Sequence, residues 1–322
     1  MPHPQTTNAI RRPDLEQVAM EFTTDDTRRG YIGRLVLPIF PTRVKTGQYP
    51  TIPAKALLSM PRTERAPRSA YSRDDFPYDF KEFNCRENGF EEPVDDSEAA
   101  MLATYFDAES VATTRATGII ERVAEKRIAD RVFNETTFRT ESVAKGWLDP
   151  AGADPLADVN AGKTAIEDAT GLAPNALIIN REIFRGLGVC DAVVDRIKFS
   201  NPNVVRGELS APLLAQYFGV DRVIVAGGVY DSAKAGKGVS PARIWASTYA
   251  MLAVLSDGGL DLKEPCLGRT FAWETDGGAL SVETYRDENV RSNVVRARQH
   301  TDECITMSLA GYLLKGVNAK AA

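Results

Sequence analysis

The longest helical repeat in the chain follows Asp95-Asp96-Ser97-Glu98, a cluster of acidic and hydroxyl residues suited to a helix N-cap and first turn. Apolar residues then recur at Met101, Tyr105, Ala108, Ala112, Ala116, Ile119, Val123 and Ala124, a mix of three-, four- and seven-residue steps that keeps one stripe on one face. Opposite lie Glu109, Arg115, Glu121, Arg122, Glu125, Lys126, Arg127 and Asp130, with Arg122 and Glu125, and Lys126 and Asp130, at pairing distance. The pattern predicts a helix over residues 97–133. Unbroken, it would run on the order of 50 Å, longer than a compact domain of this mass is wide. That length predicts a flattened molecule with the helix as its backbone. The Ala-rich stripe, without sustained Leu, argues against a coiled coil.

The chain before this helix has little periodicity. Residues 1–30 are polar and read as an arm ordered only against a partner. Leu35, Leu37 and Ile39 alternate, a strand pattern over 31–40 that Pro38 and Pro41 confine to an edge or a short piece. Prolines then recur at 41, 50, 53, 61, 67, 77 and 93. A stretch of this length without a helical repeat is no ordinary loop, since connections of about 4 to 6 residues are usual. Tyr71, Phe76, Tyr78, Phe80 and Phe83 argue against disorder, and the last four fit a strand with one buried face. The segment is expected to be a two-stranded excursion that finds its burial on sister molecules. Arg62, Arg65, Arg68 and Arg73 cluster within it, and their charge must be met by water, phosphate or an acidic surface. A neighbouring copy of the acidic chain would supply that surface.

After the helix, residues 146–162 are rich in Gly, Ala, Asp and Pro and read as a linker. Short elements follow: helices over 163–170, 181–187, 192–197 and 211–218, strands over 176–179 and 222–225, and a strand return over 244–255. Residues 230–240, with Lys234, Gly236, Lys237 and Gly238, lack an apolar anchor and should project. Phe271 and Trp273, then Leu280 and Val282, alternate on either side of Asp276-Gly277-Gly278, a hairpin signal. Ile305, Met307 and Leu309 suggest another strand. The C-terminal strands need the long helix to cover a face, which groups 97–145 with 262–322.

Composition removes several classes of function. Lys plus Arg number 39 against 44 Asp plus Glu, a net charge of -5, which argues against a protein built to grip nucleic acid by its phosphates. The apolar runs at 244–255 and 35–40 are too short to span a bilayer, and residues 1–10 lack the apolar core of a secretory signal. Cys85, Cys190, Cys266 and Cys304 are widely spaced and suit inert, reduced thiols. Ala161-Gly162-Lys163-Thr164 ends like a phosphate-binding loop, but Ala157 stands where that loop needs its first Gly, and no strand feeds it. With only His3 and His300 as histidines, a nucleophile triad has little to draw on. The tandem acids show no calcium-type loop.

The order of arm, Pro- and Arg-rich excursion, long helix, α/β unit and C-terminal strands resembles the major capsid proteins of tailed bacteriophages, with the Hong Kong 97 fold. Pro174-Asn175-Ala176-Leu177-Ile178-Ile179, Val193-Val194-Asp195-Arg196-Ile197-Lys198, Tyr217-Phe218-Gly219-Val220-Asp221-Arg222-Val223 and Glu283-Thr284-Tyr285-Arg286-Asp287-Glu288 carry the likeness, which spans about residues 95–314. The resemblance implies an α+β chain with an N-terminal arm at 1–30, an extended loop at 31–92 and an axial domain at 161–261. The peripheral domain would then be made of 93–160, with its spine helix, and 262–322. It implies contacts between subunits, for which Arg62, Arg65, Arg68, Arg73, Tyr49, Lys234 and Lys237 are the candidates, with the 230–240 loop facing the five- and six-fold axes. The implied partners are many copies of the chain itself, as pentamers and hexamers, and enclosed double-stranded DNA held without sequence specificity. Scaffolding, portal and decoration proteins are optional further partners. No membrane, cofactor, metal or catalytic residue is implied. The implied location is the virion, with assembly in the host bacterial cytoplasm. The short arm is too small for the large scaffolding segment some members carry and later remove, so scaffolding is expected to be a separate protein, absent or already cleaved off, and Lys45 and Lys55 are expected to form no isopeptide cross-link. Two other readings stand beside it: an encapsulin-like nanocompartment shell, and a cytoplasmic α/β enzyme holding a phosphorylated small molecule through Lys163.

Overall fold

In chain order the elements are β1 (Ile10–Arg11), α1 (Pro13–Thr24), α2 (Gly33–Val36), β2 (Ile39–Thr42), β3 (Thr46–Thr51), β4 (Asp79–Asn84), β5 (Arg86–Asp95), α3 (Asp96–Leu102), α4 (Ala108–Val132), β6 (Arg139–Ser142), α5 (Pro155–Thr170), β7 (Ala176–Asn180), α6 (Arg181–Leu187), α7 (Asp191–Ser200), α8 (Ala211–Phe218), β8 (Arg222–Ala226), β9 (Val229–Asp231), β10 (Pro241–Arg243), β11 (Tyr249–Ala253), β12 (Gly268–Trp273), β13 (Ser281–Asp287), β14 (Ser292–Ile305) and β15 (Gly311–Lys315). They come from a computed structural model that describes residues 10–24, 29–51, 53, 57–61, 63–73, 79–200, 209–234, 236–259, 261–262 and 264–319.

The first sheet is long and narrow because one strand, β14, organises it. Along one side of β14 runs β5, antiparallel from Ser292 opposite Asp95 to Thr301 opposite Arg86. Along the other side β13 and β12 lie end to end, pairing with Ser292 to Arg298 and Thr301 to Ile305 respectively. Beyond them β1 adds antiparallel to β13, and β2 adds parallel to β12. The expected hairpin around Asp276-Gly277-Gly278 is therefore not formed, since β12 and β13 share a partner instead of pairing with each other. The intervening residues bulge outward, with Gly277 and Gly278 at φ +87° and +60°. The ladder closes through His300 N–H donating to Gly278 O at 2.9 Å.

The long helix is in two pieces. Asp95 caps α3, its carboxylate accepting from Ser97 N and Glu98 N, as the sequence suggests. Asp107 then caps α4 afresh by accepting from Glu109 N and Ser110 N. At 25 residues, α4 is about 37 Å long rather than 50 Å. Its buried stripe is also rotated from the expected one. Ala112, Ala116 and Ile120 face Val295 and Ala297, while Val123 is exposed. Glu121 and Glu125, assigned to the wet face, are buried because each has partners there. Glu121 pairs with Arg34 at 2.5 Å, and Glu125 accepts from two backbone amides and an indole. Of the two expected pairs on the helix, Lys126 and Asp130 do form theirs.

The second sheet has strand order β6-β15-β11-β7-β8. Its strand β7, flanked by β11 and β8, is buried at every residue, as its unbroken apolar run suggests. Val159, Ile166, Val193, Ile197, Leu214 and Phe218 from α5, α7 and α8 cover one face. The other face meets Ile128, Ala129 and Val132 of α4, so this helix lies under both sheets. The presumed linker ends early, because Pro155 is the first residue of α5 and Asp154 its cap. Of the C-terminal strands, β14 packs directly on the helix, and β12 and β13 join it through their pairing with β14. β15 instead pairs with β11 and β6 in the second sheet. Leu309 lies in a 3₁₀ turn, Ser308–Ala310, rather than a strand.

Two expectations for the early chain are corrected. The described part of the arm docks on its own chain: Leu15 and Ala19 of α1 pack with Ala112 and Val282, and β1 joins β13. The strand expected over 31–40 is α2 followed by β2, because Val36 and Leu37 both turn into the core while Leu35 faces out.

Candidate assembly surfaces

The proline-rich excursion is a two-stranded ribbon, β3 against β4, in register from Thr46 opposite Asn84 to Thr51 opposite Asp79. Its root is buried on its own chain. Phe83 stacks on Phe271 with centroids 4.4 Å apart, and Tyr49 lies 5.3 Å from the same ring. Tyr49 is 3% exposed and its hydroxyl donates to Ile305 O at 3.4 Å, so it is a core residue of its own subunit rather than a contact for a neighbour. Burial raises its pKa, and likewise holds the Cys85 thiol up at about 11 and the Cys304 thiol above the usual thiol range. All four cysteines are free and buried. β5, the last part of the segment expected to lie outside the body, is an integral strand of the first sheet. Lying wholly on sister molecules is thus ruled out for the excursion's root, although β4 is exposed at every residue but Phe83.

The excursion's outer part is exposed at every described residue from 60 to 73. Met60 is 96% and Tyr71 70% exposed. The Arg65 guanidinium sits 4.7 Å over the Tyr71 ring. Arg68 has φ +68° in a turn closed by Ser69 N donating to Ala66 O. Arg73 lies in the open alongside them, and the described residues give none of these three arginines a carboxylate. Arg62 and Lys55 lie outside the described residues.

Lys234 and Lys237 project from a second site, the hairpin of β9 and β10. Its base is fixed by Asp231, whose carboxylate accepts from Ala233 N at 2.9 Å and Ser240 N at 2.8 Å, bonds that hold its pKa below the ordinary value. Both lysines are exposed, as is Val239 near the tip. Among the described residues no contact joins Lys234 or Lys237 to Arg65, Arg68 or Arg73.

The residues with apparent enzymatic potential have structural work. The Lys163 ammonium donates to Phe218 O and, at 2.7 Å, to Gly219 O, closing the C-terminus of α8. Burial lowers its pKa. His300 is 1% exposed, edge-on to Trp273, with Nε2 3.6 Å from Glu87 and 3.7 Å from Asp276. Among the described residues no group of three His, Cys, Asp or Glu could hold a metal ion.

Sequence reasoning missed an ion-pair row on the sheet face away from α4. Arg296 meets Glu91 at 2.6 Å and Glu283 at 3.7 Å. Arg298 meets Glu283 at 2.5 Å and Asp276 at 2.7 Å. The hydrogen bond from Arg298 holds the Asp276 carboxyl below its usual value. The two-residue spacing of Arg296, Arg298 and His300 places them on one face and was the available signal.

No family model matches the chain. A curated relative, the major capsid protein of Burkholderia phage BcepMu, is 26% identical over 315 residues, covering 95% of this chain and 96% of its own. A phage-related protein of Bordetella bronchiseptica RB50 superposes with a TM-score of 0.73 at 20% identity, over 97% of this chain and 99% of that one. The encapsulin of the holo-SrpI complex from Synechococcus elongatus PCC 7942 superposes at 0.54 with 10% identity, over 99% and 95%. The fold is that of the Hong Kong 97-type phage capsid structures.

Proposed function

We propose that this chain is a phage major capsid protein, many copies of which close into the icosahedral head shell around double-stranded DNA. The observation that carries the proposal is the end-to-end correspondence, 95% of one chain and 96% of the other, with a phage major capsid protein. The form of the molecule agrees with it. A long sheet backed by one helix is a tile, and the bare outer excursion with Arg65, Arg68 and Arg73 is a surface in want of a neighbour. Repeated head-to-tail contacts of such tiles close into rings, the pentamers and hexamers of a shell. A net charge of -5 suits a container that confines DNA without gripping it. The role is structural, without catalysis, in the virion after assembly in the bacterial cytoplasm, and scaffolding, portal or decoration proteins would act on the assembled tiles. We place residues 161–261 around the capsomer axis, with Lys234 and Lys237 at its rim, and residues 93–160 and 262–322 at the periphery.

Electron microscopy and sedimentation of the expressed protein test this: closed particles of megadalton mass are expected. A species that stays monomeric or dimeric under every condition of salt, concentration and crowding overturns it. The encapsulin reading keeps one observation in its favour, the shared fold. Particles from the native source separate the two, since a phage head contains nuclease-protected DNA and a nanocompartment contains an enzyme.

A further inference from the structure

Three segments far apart in sequence meet on one carboxylate. Oε1 of Glu125 accepts from Ile32 N at 2.7 Å and from the Trp245 indole Nε1 at 2.6 Å, and Oε2 accepts from Gly33 N at 2.8 Å. Glu125 is 5% exposed and Trp245 fully buried. The approach leaves no room at Gly33, where a Cβ would lie 2.5 Å from Oε2 and 2.6 Å from Ile128 Cδ1. Just upstream, Gly30 O accepts from Gly227 N at 2.8 Å, and a Cβ on Gly30 would lie 2.7 Å from Gly227 Cα. Gly227 and Gly228 lead into β9, and Ile244, which follows β10, donates its N–H to Gly228 O at 2.9 Å. Residues 30–33, where the arm ends, therefore touch the root of the β9 and β10 hairpin twice, once directly and once through Glu125.

We infer that Glu125 is a joint coupling the seating of residues 30–37 on α4 to the seating of the hairpin root, so that loosening either loosens the other. The coupling is carried by one buried acceptor group shared between the anchors of two chain segments, which ties their free energies together whichever is disturbed first. A carboxylate is required, because three N–H donors converge on two oxygens. An amide in its place would set an NH2 group against one of those donors. The arm and the hairpin are two of the parts a shell subunit would offer to its neighbours, yet the coupling lies within one chain and stands apart from the shell reading.

Hydrogen–deuterium exchange on the full-length protein tests it. In Glu125→Gln, amide exchange is expected to rise about tenfold, an ordinary size for coupled sites, in 30–37 and together with it in 226–231 and 241–245. Glu121→Gln, which weakens the pair with Arg34 and leaves the Glu125 carboxylate in place, should raise exchange in 32–37 alone. Faster exchange at 30–37 in Glu125→Gln with wild-type rates across 226–245 would overturn the inference. If Glu125→Gln fails to fold, Trp245→Phe decides the matter by removing one donor and keeping an aromatic ring. It should speed exchange of the Ile32 and Gly33 amides, which Trp245 does not bond, and unchanged rates at those two amides would overturn the coupling.

Discussion

The two sheets are stabilised by different means. β7, an interior strand of the second sheet, is buried along its whole length and sits between two apolar layers. β14, at the heart of the first, buries Gln299, His300, Thr301 and Glu303 as well as Val295 and Ala297. It faces α4 with a mixed surface and presents an ion-pair row on its other side. Burial of hydrocarbon needs no particular partner, whereas each polar group on β14 depends on a specific counterpart placed by the fold. The second sheet should therefore fail by cavity formation and the first by leaving groups unpaired. Substitutions in each test that division.

The largest effect is expected from Leu177→Ala in β7. Leu177 is fully buried between α5, α7 and α8, so the loss of its side chain leaves a cavity and should cost about 3 kcal/mol, nearly independent of salt. Urea unfolding of the unassembled subunit measures it. A loss below about 1 kcal/mol would mean that the layer collapses around the gap and is less tightly packed than β7 implies. Next comes Arg298→Met in β14. It removes the guanidinium from between Glu283 and Asp276 and leaves Glu283, which is 8% exposed, with one remaining and more distant arginine. The expected loss is about 2 kcal/mol, below the full value for a buried pair because Arg298 keeps some contact with solvent. The companion change Glu283→Gln should return part of that loss, and the pair of variants together should show the coupling.

Acid sharpens the comparison on the same row. The Arg298 hydrogen bond lowers the Asp276 pKa from 3.8 in the folded chain. A depressed carboxyl stabilises the fold fully above the unfolded value and loses that contribution as pH falls from 3.8 through the lower folded value. Asp276 is 41% exposed, so solvent screening keeps the effect below about 1 kcal/mol. Urea midpoints between pH 5 and pH 2 should fall more for wild type than for Asp276→Asn. Parallel curves would show that this carboxylate adds nothing at neutral pH.

The same division decides what was legible in the sequence. Ala176 to Ile179 is an apolar run, and its burial as a strand follows from hydropathy alone. Asp95 as a cap and the short helices around Arg181–Leu187 and Ala211–Phe218 follow from local rules. Periodicity puts Glu121 and Glu125 on the wrong face because it treats a carboxylate as wet, and nothing local announces that Ile32, Gly33 and Trp245 supply donors to Glu125. Gly277 and Gly278 signal a sharp turn correctly, but not whether the strands on either side pair together or both pair with β14. The burial of Tyr49 on its own subunit is not legible locally, because its partner Phe271 is supplied by a strand far along the chain. Arg65, Arg68 and Arg73 are exposed, since a Pro-rich stretch without helical repeat offers them no local core to lean on.

The smallest effect belongs to the pair that was easiest to foresee. Lys126 and Asp130 stand one helical turn apart on the open face of α4, with Asp130 63% exposed. Such pairs gain little Coulomb energy in water and lose side-chain entropy in forming, so Lys126→Ala should change stability by no more than about 0.5 kcal/mol. Lys126 also lies 5.8 Å from the centroid of the Tyr230 ring, at the start of the hairpin. If Lys126→Ala costs several times the expected amount, that ring contact rather than the salt bridge is the cause, which Asp130→Ala would establish by costing almost nothing. Equal and small losses in both variants would leave the open face of α4 energetically quiet, and would put the helix's contribution to the first sheet on its buried side, in Ala112, Ala116 and Ile120.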